Sequence, residues 1–216
     1  MIRKTETPCL IAYICPKIIQ TVKAAIKNVT DGIDIHSIGI TGQMHGILYL
    51  DKNLTPCSPL IIWQDARGNE IFKSNETYAE YLTKVTGIKA ASGYGLTTHF
   101  YNIKNNLVPQ NAFMLCTIHD YLAALLTNTK PVSHTSDAAS LGFFDLEKLD
   151  FNKNALQIAG IDTSFLPDVI KDTVTEEDFN SLLENPTLKF TAYAIQCKGM
   201  ASAQDAWRVL NSKKEE

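Results

Sequence analysis

Apolar residues recur every three to four positions across 17–29, where Ile18, Ile19, Val22, Ala25, Ile26 and Val29 are interleaved with Lys17, Gln20, Lys23 and Lys27. That spacing lays the apolar set along one stripe of a helix, and Pro16 just ahead of it suits a first turn. The period then shortens. Ile38 and Ile40 alternate with small residues, and unbroken apolar runs follow at 48–50 and 60–63, each bounded by Gly, Pro, Asn or Asp. These three runs predict strands of a sheet core. Between the first two lies Gly42-Gln43-Met44-His45-Gly46, and the third runs into Trp63-Gln64-Asp65-Ala66-Arg67.

Farther on, Tyr78, Tyr81, Leu82 and Val85 predict a helix that Gly87 ends. A glycine-flexed loop, Ser92-Gly93-Tyr94-Gly95, opens a helix through Asn106, with Thr97 as its N-cap. A strand is expected over 113–117, then an apolar helix from Ile118 to near Asn128. The 132–146 segment reads as a polar turn around 136–140 entering a β-run at 141–146. A short helix over 152–159 has Gly160 as its C-cap. Past 170 come an acidic turn at 175–178, a strand at 190–197, a helix at 201–210 and a charged end, 213–216. The chain thus divides into an unassigned opening at 1–16, a main unit at 17–170 and a tail at 171–216. Alternating helices and strands place the main unit in the α/β class.

Composition changes this picture mainly by exclusion. A net charge of -3 with scattered lysines provides no basic face for nucleic acid. No run approaches the ~20 apolar residues of a membrane-spanning helix, and the short apolar stretch between Pro8 and Pro16 lacks the pattern of a cleaved signal. Five cysteines, odd in number and without paired x2 spacing, point to neither a disulfide framework nor a zinc site and fit a reducing cytoplasm.

Ligands of α/β sheets collect where loops converge at strand ends. Gln43, His45, Gln64, Asp65 and Arg67 would sit there, offering amide, imidazole, carboxylate and guanidinium groups suited to hydrogen-bonding a polyol. The same residues also fit a plain tight turn whose histidine is satisfied by a carbonyl, beside an exposed Asp65–Arg67 pair worth about 0 to 1 kcal/mol. Tyr94, between two glycines, is either presented to a ligand or buried as a corner. His119 and Asp120 read as first-turn residues complementing a helix dipole, or as a metal or catalytic pair.

Six segments in order resemble one family: Gly42-Gln43-Met44-His45-Gly46, Trp63-Gln64-Asp65-Ala66-Arg67, Ser92-Gly93-Tyr94-Gly95, Thr117-Ile118-His119-Asp120-Tyr121-Leu122, Asp137-Ala138-Ala139-Ser140-Leu141-Gly142-Phe143-Phe144-Asp145 and Phe165-Leu166-Pro167-Asp168. Together they are similar to the amino-terminal lobe of the FGGY carbohydrate kinases, within that family most like the sedoheptulokinases and then the xylulokinases. The resemblance implies a ribonuclease-H-like, actin-like ATPase lobe that closes with a second lobe over a sugar and a nucleotide. It places Met44 and His45 against the sugar, with Gln43, Trp63, Gln64, Asp65 and Tyr94 around the same cleft. The implied reaction moves the γ-phosphoryl group of ATP, with Mg²⁺, onto a ketose hydroxyl.

Two departures accompany it. The family's opening Asp-x-Gly-Thr-Thr/Ser hairpin has no match in residues 1–16, and its Gly-Asp catalytic-base motif has none anywhere in the chain. Asp205 in Ser202-Ala203-Gln204-Asp205-Ala206 lacks the glycine and reads as an ordinary helix position. The expectation is therefore a lobe incomplete at its hairpin, without the second lobe, that holds sugar but is inactive alone and binds neither ATP nor Mg²⁺ tightly. A non-catalytic sugar-binding or regulatory module is the other reading. Either leaves an apolar face open to self-association.

Overall fold

The computed structural model describes residues 14–31 and 38–171. The expected features at Ser37, in most of the 1–16 opening, and beyond 171, Asp205 among them, lie outside the described residues.

Strand β1 (Leu48–Leu50) lies at the centre, paired antiparallel with β4 (Met114–Cys116) so that Leu48 faces Cys116 and Leu50 faces Met114. The two-residue period of a strand sends alternate side chains to opposite faces. Here both faces are buried: Ile47, Tyr49 and Leu115 enter one apolar cluster with Leu96, Phe100, Leu141 and Leu156. Leu48, Leu50, Met114 and Cys116 enter a second with Leu60, Ile118, Tyr121 and Leu122. Burial on both sides is why these segments read as continuous apolar runs.

The second cluster is covered by α1 (Ile14–Thr30), whose Ile18, Ile19 and Val22 pack against it. The helix begins two residues before Pro16. A proline is tolerated there because the first-turn N–H it lacks has no intrahelical acceptor. The predicted apolar stripe is covered only in part, since Val29 remains 39% exposed.

Among the described residues, two of the three expected strands form no ladder. Residues 38–43 join no described ladder, and Ile38 is 38% exposed. The alternation of Ile38 and Ile40 with small residues fits a strand period, but a strand also needs a neighbour to pair with. The 60–63 run is reduced to one antiparallel bridge, Ile47 to Ile61, after which the chain turns outward at Trp63. Conversely, a hairpin absent from the sequence reading joins β2 (Ile71–Lys73) to β3 (Glu76–Thr77) across Ser74 and Asn75, both at positive φ.

Helix α2 (Tyr78–Thr86) starts at a capping box in which Thr77 and Glu80 exchange side-chain and backbone bonds, and it ends at Gly87 with φ 71°. Helix α3 (Gly95–Lys104) starts two residues earlier than its expected cap. Tyr94, in extended backbone, is the N-cap, and Thr97 lies buried inside the first turn with no hydrogen-bond partner for Oγ1 among the described residues. Helix α4 (Ile118–Thr127) is capped by Thr117 and closed by Asn128 in the left-handed region.

Strand β5 (Val132–His134) leads into α5 (Thr135–Ser140), a short helix where a polar turn was expected. The β-run after it is the hairpin β6 (Phe144–Asp145) and β7 (Asp150–Phe151). Helix α6 (Lys153–Ala159) ends at Gly160 as expected, and Asn152, expected inside the helix, is its N-cap. Strand β8 (Asp168–Ile170) returns to pair parallel with β5.

Candidate functional site

Three loops meet just ahead of β1. The Ile47–Ile61 bridge is so close that a Cβ on Gly46 would stand 2.9 Å from the Ile61 carbonyl, which seats the 42–46 loop directly against the 61–65 loop. The 92–95 loop closes the third side. Gly93, at φ 90°, lies under Trp63 so tightly that a Cβ would fall 2.2 Å from the Trp63 carbonyl oxygen. Only glycine meets both demands.

His45 is fixed from two directions. Its backbone N–H donates to Ser140 Oγ at 3.3 Å, and its Nδ1 is hydrogen-bonded to the Ser140 carbonyl. A carbonyl only accepts, so Nδ1 carries the proton and, in the neutral ring, Nε2 is left as an acceptor. Ser140 Oγ in turn donates to the Asp137 carbonyl at 2.7 Å. The Tyr94 ring stacks on the imidazole with centroids 4.9 Å apart and planes 17° from parallel. Tyr94 is half-buried, so the expected alternatives of presentation and burial are both partly realised. Met44 and Trp63 stand out from neighbouring loops, 52% and 51% exposed. Gln43 is half-exposed and Gln64 exposed. Gln43, Met44, His45, Trp63, Gln64 and Tyr94 thus share the same three converging loops.

Asp65 is held differently. Its Oδ1 accepts from the Arg67 backbone N–H at 3.0 Å and from Nε at 2.7 Å, and its Oδ2 accepts from Nη2 at 2.9 Å. The pair is partly buried, 25% and 21% exposed, rather than a surface contact. It opens a polar chain that reaches the core. Arg67 Nη1 donates to Asn102 Oδ1, Asn102 Nδ2 donates to Tyr49 Oη at 3.0 Å, and Tyr49 Oη bonds His99 Nδ1 at 2.7 Å. Since Tyr49 accepts from Asn102, its own proton goes to His99 Nδ1. Burial holds the Tyr49 phenol well above its ordinary pKa and the His99 imidazole down at about 4. Nothing in the sequence marks Tyr49, His99, Asn102 and Ser140 as partners, because their contacts span 35 to 95 residues.

A second group lies beside the 42–46 loop. His119 Nε2 is 3.4 Å from Asp137 Oδ1. Burial works against the His119 proton, but its Asp137 and Asp120 neighbours prevail and hold the imidazole pKa above its usual value. His119 correspondingly holds Asp137 below the ordinary carboxylate range, while burial pushes Asp120 above it.

Chemically, the three loops present a hydrogen-bond acceptor, amides and apolar ring faces. The nearby carboxylates Asp65 and Asp137 lie against Arg67 and His119, and the sequence contains neither Asp-x-Gly-Thr nor Gly-Asp. No described helix is long and apolar enough to cross a membrane.

The chain is 28% identical over 152 residues to mouse sedoheptulokinase, covering 62% of this chain and 31% of that one. Against xylulose kinase of Lactococcus lactis it is 28% identical over 144 residues, 66% of this chain and 28% of the other. It therefore spans about three tenths of the length of these relatives. The crystal structure of gluconate kinase from Lactobacillus acidophilus superposes with a TM-score of 0.62 at 24% identity, over 78% of this chain and 36% of that one, which establishes a shared fold. Residues 11–183, most of the chain, match the N-terminal domain of the FGGY family of carbohydrate kinases, and the chain belongs to that family.

Proposed function

We propose that this chain is the sugar-binding lobe of an ATP-dependent carbohydrate kinase acting on a ketose, with sedoheptulose favoured over xylulose. The observation that carries the reading is the meeting of three loops around His45, with Nδ1 given to the Ser140 carbonyl and Nε2 free to accept from a sugar hydroxyl. Tyr94, Met44 and Trp63 supply apolar surface for the C–H faces of the sugar, and Gln43 and Gln64 supply amides at the rim. Asp65 shapes the loop through Arg67 and retains lone pairs for a further hydroxyl.

Phosphoryl transfer needs more than this. The Asp-x-Gly-Thr and Gly-Asp motifs that mark the family's opening hairpin and catalytic base do not occur in the sequence. On this reading the chain binds sugar without turning it over, and ATP with Mg²⁺ serves a longer parent enzyme. A sugar-binding module without catalysis is the second reading, favoured by the same missing motifs.

The test combines ligand-induced thermal shift with a coupled assay for ADP, using sedoheptulose and xylulose with ATP and Mg²⁺. The expected result is a sugar-dependent rise in Tm with no ADP formed. At a ligand concentration one hundred times Kd the stabilisation is about 2.7 kcal/mol. His45→Ala removes the acceptor and should abolish most of the shift. Turnover by the chain alone would overturn the account of the missing parts, and no shift with either ketose would overturn the sugar site.

A further inference from the structure

We propose that His119, Asp120 and Asp137 form a divalent-cation site beneath the 42–46 loop, suited to a first-row transition ion such as Mn²⁺ or Zn²⁺.

His119 and Asp120 are the second and third residues of α4, and Asp137 is the third of α5. One ligand atom from each residue lies within 4.8 Å of the other two. Around a bound ion with ligand bonds of about 2.0 to 2.2 Å, neighbouring donor atoms stand about 3 to 4 Å apart. Side-chain adjustment on the order of 1 Å therefore closes the set.

Burial points independently to a missing partner. His119 and Asp120 are only 6% and 5% exposed. Both His119 ring nitrogens and Asp120 Oδ2 are sealed from solvent without a well-formed hydrogen bond among the described residues, His119 having only Asp137, and Asp120 only the Thr117 and Ser133 hydroxyls, as polar neighbours. The contact of His119 with Asp137, at 3.4 Å, is an ion-pair distance rather than a well-formed hydrogen bond. Among the described residues no Lys or Arg pairs with Asp120 or Asp137. Buried carboxylates are found paired or on metals, because leaving one bare in an apolar surround is costly. Two carboxylates and a neutral imidazole carry a charge of minus two, which a divalent ion cancels. The mixed N/O donor set favours a borderline ion over Mg²⁺ or Ca²⁺, which prefer oxygen alone.

The position gives the ion a task. The His119 ring underlies Gly42 so closely that a Cβ there would meet Nδ1 at 2.9 Å. The Asp137 carbonyl accepts from Ser140 Oγ, which in turn receives the His45 N–H. An ion held by His119, Asp120 and Asp137 would therefore fasten α4, α5 and the 42–46 loop at one point.

The test needs neither sugar nor turnover. The full chain, stripped with chelator, is titrated with MnCl₂, ZnCl₂, CoCl₂ and MgCl₂ by calorimetry and thermal shift. Expected are saturable binding of a transition ion with a raised Tm, and, with Co²⁺, visible d–d absorption without a thiolate charge-transfer band. Asp137→Asn, at a half-buried position, should weaken binding by at least about tenfold. Glu76→Gln, on the β2–β3 hairpin that carries none of the three ligands, should leave it unchanged. His119→Gln is checked for folding by circular dichroism, and the Co²⁺ spectrum of the unaltered chain stands whether or not that variant folds. The proposal is overturned by no saturable binding of the three transition ions, by a thiolate band, by a response to Mg²⁺ alone, or by equal binding in Asp137→Asn.

Discussion

Two histidines in this lobe show how one ring is given opposite roles by its neighbours. His45 donates a hydrogen bond from Nδ1 to a carbonyl and keeps an acceptor at the site. His99 accepts a hydrogen bond from the Tyr49 hydroxyl at Nδ1, is fully buried, and is held near pKa 4 by desolvation, with Asp162 opposing. Because its folded pKa lies below the ordinary value of about 6.5, the unfolded chain binds the extra proton first as pH falls. Stability linked to His99 is therefore complete above about pH 6.5 and is lost progressively toward pH 4, by an amount on the order of 3 kcal/mol. The raised pKa of His119 works in the opposite sense, its contribution fading as pH rises above the ordinary histidine value. Urea denaturation of the unaltered chain and of His99→Gln at matched pH isolates the first effect. The His99-linked fall in stability between pH 6.5 and 4 should be missing from the variant, so the two profiles should converge toward pH 4; parallel profiles would remove His99 as the cause.

At the scale of elements, the loop at 92–95 decides how α3 meets the site. Gly93 combines φ 90° with contact against the Trp63 carbonyl, so Gly93→Ala adds backbone strain of about 1 to 3 kcal/mol to a direct clash. Gly87, also at positive φ, has open space around it, so Gly87→Ala should cost only about 1 kcal/mol. Thermal unfolding of the two variants should place Gly93→Ala clearly below Gly87→Ala; equal losses would mean that the loop yields freely. This contrast also shows what was legible in the chain. Gly87, Asn128 and the Asn152–Gly160 pair are local signals, and the helices they bound lie where the sequence puts them. Thr97 was misleading because α3 is started by the turn at 93–95, not by a side-chain cap. The Ile38–Ile40 alternation was misleading because pairing, which no local pattern encodes, decides whether a strand forms. Site loops were recognisable as motifs, but the Ser140 anchor of His45 is 95 residues away and only the fold brings it there.

For the whole molecule, the apolar side chains around the site predict at most weak self-association. Met44 and Trp63 are both about half exposed on adjoining loops. A tryptophan buries about 150 to 250 Å² when fully covered, so covering the remaining half gains on the order of 2 to 3 kcal/mol at ~25 cal/mol per Å². Met44 adds a smaller amount. Even doubled by a two-fold contact, this only matches the lower end of the 4 to 15 kcal/mol or so lost in rigid-body freedom on association. A tight dimer is therefore not expected, whereas reversible association that grows with concentration is. In sedimentation velocity the weight-average mass should rise above 24.0 kDa with loading concentration. Trp63→Ser should reduce the rise. Saturating ketose should reduce it as well, since sugar and partner compete for the same side chains. A mass constant at the monomer value would show that this face is left bare, while association indifferent to both Trp63→Ser and sugar would place the contact elsewhere, with Ile71 and Leu146, 62% and 74% exposed, the next surfaces to alter.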